Sequence, residues 1–136
     1  MIDELKRVIY VSKHRDYSNE NLKKITATSQ NNNPSKNISG CLICGKNSYL
    51  QLLEGPSLFV DELYQKIQID RRHKDIRNLN EEIITKRLFS LWSMRVDPFD
   101  NFMWLDDELG AGDFINLDRT SAINIFTRIS DDAKGV

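Results

Sequence analysis

At 136 residues the chain has the length of one ordinary domain, and its 40% hydrophobic content is enough to bury a core without a disulfide or metal staple. The formal charge of −1 hides an imbalance: residues 1–96 hold sixteen Lys and Arg against eleven Asp and Glu, while residues 97–136 hold three against nine. There is no dense basic stripe for a nucleic-acid face, no apolar run long enough to cross a bilayer, and no signal-peptide pattern in the opening M-I-D-E-L-K, so a cytoplasmic protein is expected.

In chain order the pattern alternates between strand and helix. Leu5–Ser12 (L-K-R-V-I-Y-V-S) is rich in β-branched and aromatic residues and reads as a strand. Ser18 is a good N-cap for a helix carrying Leu22 and Ile25, which ends by the loop N-N-N-P-S-K around Pro34. Ile38–Gly45 and Ser48–Glu54 form two strands joined by K-N as a hairpin. After G-P-S, Leu58–Ile69 has apolar residues at 59, 60, 63, 64 and 67, the stripe of an amphipathic helix. A charged loop, D-R-R-H-K-D, precedes a strand at Leu79–Lys86, and R-L-F-S-L-W-S-M-R-V brings a final strand. From Asp97 the chain turns acidic, and Leu117–Ile129 reads as a helix with Ala122, Ile125, Phe126 and Ile129 on its apolar side. This order predicts an α+β, ferredoxin-like sandwich. It consists of a five-stranded mixed sheet with two helices on one face, over residues 1–96, followed by a helical C-terminal extension over 97–136.

Two features in the strands bear on chemistry. The cysteines of C-L-I-C at 41–44 have a metal or redox spacing, but on a strand positions three apart face opposite sides, so Cys41 and Cys44 are read as small buried apolar residues and no metal is expected. The other is S-Y-L-Q-L-L-E-G at 48–55, in which Gln51 shares a face with Tyr49 and Leu53 while Leu50 and Leu52 point the other way. Both faces read as buried, and a primary amide left unpaired in such a place costs about 1–3 kcal/mol. Gln51 therefore requires a partner.

Seven pieces of the chain resemble one family, the BLUF domain, a sensor of blue light that uses FAD. They are R-V-I-Y at 7–10, L-K-K-I-T-A-T-S-Q-N-N-N at 22–33, N-I-S-G at 37–40, Y-L-Q-L-L-E-G at 49–55, V-D-E-L-Y-Q-K-I at 60–67, D-R-R-H at 70–73 and R-L-F-S-L-W-S-M at 87–94. The resemblance implies non-covalently bound FAD and a photochemical pair made of Tyr10 and Gln51, with the amide between the phenol and the N5/C4=O edge of the flavin. It implies that Asn32 and Asn33 hold the polar edge, that Ile25 and Ile67 clamp the ring, and that Lys66, Asp70, Arg72 and His73 lie toward the C2=O and ribityl-phosphate end. Trp92 and Met94, two apart on the last strand, would report the flavin's state. Ser39, where the family commonly has threonine, and Cys44, where an aromatic residue is frequent, depart from the pattern without touching the photochemical residues.

On this resemblance the chain is a photoreceptor and not an enzyme. Its signal would pass by protein contacts to a downstream protein, to its own acidic extension or between copies in a homo-oligomer, with no nucleic acid or membrane involved. Three other readings stand beside it: the photosensory fragment of a larger light-regulated cyclase or phosphodiesterase, an acylphosphatase-like hydrolase on the same sandwich, and a structural module without flavin. The hydrolase needs an arginine beside its asparagine, and N-N-N-P-S-K has none.

Overall fold

The computed structural model describes residues 4–14, 37–44, 48–70, 73–89, 95–98 and 117–134. Strands β1 (Leu5–His14) and β3 (Ser48–Pro56) lie side by side and antiparallel inside a five-stranded sheet. β2 (Ser39–Cys44) flanks β3 antiparallel, β4 (His73–Ile84) flanks β1 antiparallel, and the short β5 (Arg95–Pro98) runs parallel beside β2. The strand order β4-β1-β3-β2-β5 is mixed, as the sequence pattern implies.

Among the described residues, two helices cover the two faces. Helix α1 (Ser57–Gln68) packs Phe59, Val60, Leu63, Tyr64 and Ile67 against Val8, Tyr10, Leu42, Tyr49 and Leu53 of the sheet. Helix α2 (Arg119–Lys134) packs Ala122, Ile125, Phe126 and Ile129 against Ile9, Val11, Cys41, Ile43, Leu50 and Leu52 on the other side. Those four α2 residues are the ones the helical spacing assigned to its apolar side. The residues of the expected helix opened by Ser18 lie outside the described ones, as does the K-N connection between β2 and β3. β3 is buried along its whole length because it is central in the sheet and has a helix over each face. Its alternation divides the two cores: odd positions face α1 and even positions face α2.

Local chemistry sets the element ends. Pro56 closes β3 and forms the N-cap of α1 with φ −54° and ψ 132°, and the next amide, Ser57 N–H, donates to Glu4 C=O at 2.8 Å. Asp118 caps α2: its Oδ1 accepts from Ser121 N–H at 2.7 Å, which draws the carboxyl below its usual value. Gly40 admits no side chain, since a Cβ there would run into the Leu52 carbonyl of the neighbouring strand.

Two expectations need correction. β4 opens at His73, so the charged run from His73 to Asp75 belongs to the strand and not to a loop, and the strand closes at Ile84 rather than Lys86. The alternation was obscured by two irregularities in the β1–β4 register, between Ile9 and Tyr10 and between Val11 and Lys13, the second beside Asp75 at φ 53°. The final strand runs Arg95–Pro98, whereas Arg87–Phe89 is not strand; the backbone amides of Leu88 and Phe89 donate to the Glu54 carboxylate instead of to a strand neighbour.

Charged pairs join the layers. Lys6 bridges Asp61 of α1, at 2.6 Å, and Glu81 of β4; burial pulls its pKa down, but the two carboxylates outweigh that and raise it. On the other face Glu82 accepts from Arg7 at 2.8 Å and from Arg119 of α2 at 3.2 Å. Burial would raise the Glu82 carboxyl, but the hydrogen bonds of Arg7 and Asn80 and the charges of Arg7 and Arg119 win and hold it below its ordinary value of 4.5. A depressed folded-state pKa stabilises the fold above the unfolded-chain value, and that contribution is lost as pH falls through the folded value. Urea midpoints followed from neutrality to about pH 3 are therefore expected to fall less steeply for Glu82→Gln than for the wild type.

Candidate functional site

Tyr10 and Gln51 stand directly opposite each other in the β1–β3 register, on the face covered by α1. Both are buried, at 4% and 3% exposure, which leaves bulk water no access to either polar group. The Tyr10 hydroxyl donates a hydrogen bond to Gln51 Oε1. This contact supplies the partner that Gln51 requires, and it places two groups of complementary chemistry together. A phenol can release both an electron and a proton, and an amide accepts at oxygen while donating at nitrogen. With Oε1 engaged by Tyr10, the donor edge of the amide is Nε2.

The surroundings are apolar and aromatic. Val8, Leu42, Tyr49, Leu53 and Val60 are buried around the pair, and Leu63, Ile67 and Ile76 pack on them as partly exposed neighbours. The Tyr64 ring lies 5.7 Å from the Tyr10 ring at 45°, a tilted aromatic contact. Burial raises the Tyr64 phenol pKa, a hydrogen bond with Asn78 draws it back in part, and the charge of Glu81 raises it further. Asn78 is also the β4 residue opposite Tyr10 in register.

Of the residues implied by the resemblance, the structure brings together Tyr10, Gln51 and Ile67. Lys66 is exposed in the last turn of α1, and Asp70, half-buried, follows that helix, its N–H donating to Ile67 C=O at 3.1 Å. His73 opens β4 opposite His14. Ile25, Asn32, Asn33, Arg72, Trp92 and Met94 lie outside the described residues. What is described suits a planar aromatic ligand, with aliphatic and aromatic contacts along the flat faces and a buried amide for one polar edge. Among the described residues no group of three His, Cys, Asp or Glu could hold a metal ion, and no helix is long and apolar enough to cross a membrane. Cys41 is buried on the α2 side of the sheet.

Sequence reasoning did not single out Tyr64 or Asn78. Tyr64 was absorbed into the packing stripe 60, 63, 64 and 67 of α1, and only the structure shows its ring against Tyr10. Asn78 could be placed opposite Tyr10 only by knowing that the β4 register slips beside Leu79.

Comparison with known proteins gives a consistent result. A family model described as sensors of blue-light using FAD, BLUF, matches residues 5–95. Photoactivated adenylate cyclase subunit alpha of Euglena gracilis is 35% identical over 92 residues, covering 63% of this chain and 9% of that protein. Subunit beta of the same organism is 30% identical over 92 residues, covering 66% and 11%. The chain thus matches only about a tenth of the length of these curated relatives. Among solved structures, the dark state of BlrB, a BLUF protein, superposes with a TM-score of 0.82 at 28% identity over 97% of this chain and 99% of that one. A bacterial light-regulated adenylyl cyclase gives 0.72 at 30% identity over 94% of this chain and 36% of that one.

The Tyr10–Gln51 bond lends itself to a mutant cycle. Tyr10→Phe and Gln51→Leu each remove the bond between the two side chains, so the second replacement has no such bond left to break and the two losses should be non-additive. Urea unfolding is expected to show the double variant about 1–2 kcal/mol more stable than the sum of the single losses implies. Additive losses would mean that the two side chains do not interact.

Proposed function

The chain belongs to the BLUF family of blue-light sensors using FAD, and we propose that Tyr10 and Gln51 are its photochemical pair, that its flavin is FAD, and that its output passes through protein contacts. The observation that carries this reading is the buried hydrogen bond from the Tyr10 hydroxyl to Gln51 Oε1 beneath α1.

A bound flavin would supply absorption of blue light, an oxidising excited state that takes up one electron, and an acceptor for one proton, both of which it would return on recombination. Tyr10 is the donor, releasing an electron and, along its hydrogen bond, a proton. Gln51 receives that proton at Oε1 and gives one from Nε2. On recombination Tyr10 recovers its electron and proton, so the lasting change is in which hydrogen bonds the Gln51 amide makes. Burial serves this chemistry in two ways. It keeps water from competing for the amide, and it lowers the local dielectric so that a changed hydrogen bond has a larger effect.

In this reading Ile25 and Ile67 clamp the ring and Asn32 and Asn33 hold its polar edge. Lys66 faces the C2=O, Asp70, Arg72 and His73 serve the ribityl-phosphate side, and Trp92 and Met94 report the state of the flavin. The position of Ile67 beside the pair supports the clamp, and the location of Asp70 at the C-terminal end of α1 suits contact with a ligand that extends past that helix. The chain acts as a sensor without enzymatic activity of its own. Its signal goes to a downstream protein, to its own residues 97–136 or to another copy of itself. The BlrB likeness extends over 97% of this chain and so includes α2.

A second reading has its own observation. The Euglena relatives and the bacterial match are cyclases, and the part matched is 9% of the alpha subunit and 36% of the bacterial chain, which suits a photosensory module of a larger light-regulated enzyme. Both readings share the same photochemistry.

Absorption spectra of the purified protein, recorded in darkness and after a blue flash, test the proposal. The wild type is expected to carry a flavin, released on acid treatment as FAD, whose visible bands move slightly to the red and relax in darkness. Gln51→Leu should bind the flavin without the reversible shift. A reversible shift of wild-type size in Gln51→Leu would remove the amide from the mechanism, and release of FMN would correct the cofactor.

A further inference from the structure

Besides Gln51, β3 buries a charged residue, Glu54, whose side chain is 0% exposed. It lies three residues beyond Gln51 on the opposite face of the strand, so one central strand presents an amide to the α1 side and a carboxylate to the α2 side. All the described partners of the carboxylate come from distant parts of the chain. Oε2 accepts from Arg7 Nε at 2.8 Å and from Leu88 N–H at 3.1 Å, and Oε1 accepts from Leu88 N–H and Phe89 N–H, both at 3.0 Å.

The segment Arg87–Phe89 is thereby held as a clasp between three elements. Glu54 ties it to β3. The Arg87 guanidinium donates to Ser39 Oγ at 3.0 Å and to Asn37 C=O at 2.9 Å, and Ser39 Oγ donates to Phe89 C=O at 2.7 Å, which ties it to β2. Ser130 Oγ of α2 donates to Leu88 C=O at 2.6 Å. A second chain of contacts leaves the same carboxylate: Arg7 also binds Glu82, and Glu82 binds Arg119 in the first turn of α2. Both ends of α2 are thus connected to Glu54, one through backbone amides and one through an ionic relay.

Resting on the proposed role of Gln51, we infer that Glu54 is the positioning residue that couples the flavin side of the sheet to α2 through the Arg87–Phe89 clasp. β3 is packed on both faces over its full length, so a rearrangement at Gln51 has no slack in which to be absorbed. Three strand residues on, about 10 Å away, it reaches a carboxylate whose described bonds all hold other elements. A carboxylate suits the task because its bonds to Arg7 and the two amides are charge-assisted, hence short and direction-sensitive. A small displacement alters the clasp rather than being tolerated.

The test is hydrogen exchange of α2 peptides in the flavin-loaded protein, in darkness and under blue light, with absorption spectra taken on the same samples. In the wild type α2 exchange should differ between light and dark. In Glu54→Gln, which keeps size but removes the charge and turns one oxygen into a donor facing amide hydrogens, the red shift should remain and the light-minus-dark difference in α2 should be lost. A purely structural Glu54 would raise exchange equally in both states and leave the difference intact, which overturns the inference. Loss of the red shift in Glu54→Gln also overturns it, by placing Glu54 in the photochemistry. Absence of a red shift in the wild type would defeat the Gln51 reading itself, and the inference with it. Should Glu54→Gln not fold, Ser130→Ala cuts only the link from clasp to helix; it should keep the red shift and lose the light-minus-dark difference in the last turns of α2. An undiminished difference there would equally overturn the coupling.

Discussion

Burying both faces of one strand is the constraint on which the rest of this molecule depends. β3 sits at the centre of the sheet with a helix over each side, and it carries an amide and a carboxylate in that position. Buried polar groups must be satisfied, and the partners they recruit organise much of the fold. Gln51 is met by Tyr10 from β1, across a register that places the two opposite each other. Glu54 is met by Arg7 from the same strand and by backbone amides of the chain after β4. Photochemistry and signalling, as read here, are two consequences of one packing problem.

Much of this was legible from the residues alone. The period-two pattern of S-Y-L-Q-L-L-E identified a strand with two dry faces, and the apolar stripes at 59–67 and 122–129 identified the helices that dry them. The need of Gln51 for a partner followed from elementary hydrogen-bond accounting. What escaped depended on tertiary context. β4 is an edge strand whose charged residues bind Lys6, Arg7 and Arg119 instead of alternating with apolar ones, and two register slips hide its period, so its first residues read as loop. Arg87–Phe89 has the composition of a strand but gives its amides to Glu54, a contact that no local pattern announces. Glu54 itself passed as the end of a strand, because nothing near it in sequence shows that Arg7 and Leu88 converge there.

The site follows the same division. Tyr10, Gln51 and Ile67 were readable through their likeness to a known family, and the structure gathers them on one face. Tyr64 and Asn78 were not, since each becomes a neighbour of Tyr10 only through helix docking or strand register. Their presence makes the phenol's surroundings partly aromatic and partly amide.

The central claim is that the Gln51 amide changes its hydrogen bonding when the flavin absorbs light. A light-minus-dark infrared difference spectrum of the flavin-loaded protein, prepared with isotope-labelled glutamine side chains, addresses it most directly. Amide bands are expected that move with the label, appear together with the change at the flavin carbonyl, and vanish in Gln51→Leu. Flavin carbonyl bands that change with no isotope-sensitive amide signal would contradict the claim, because the amide would then be a bystander to the photoreaction.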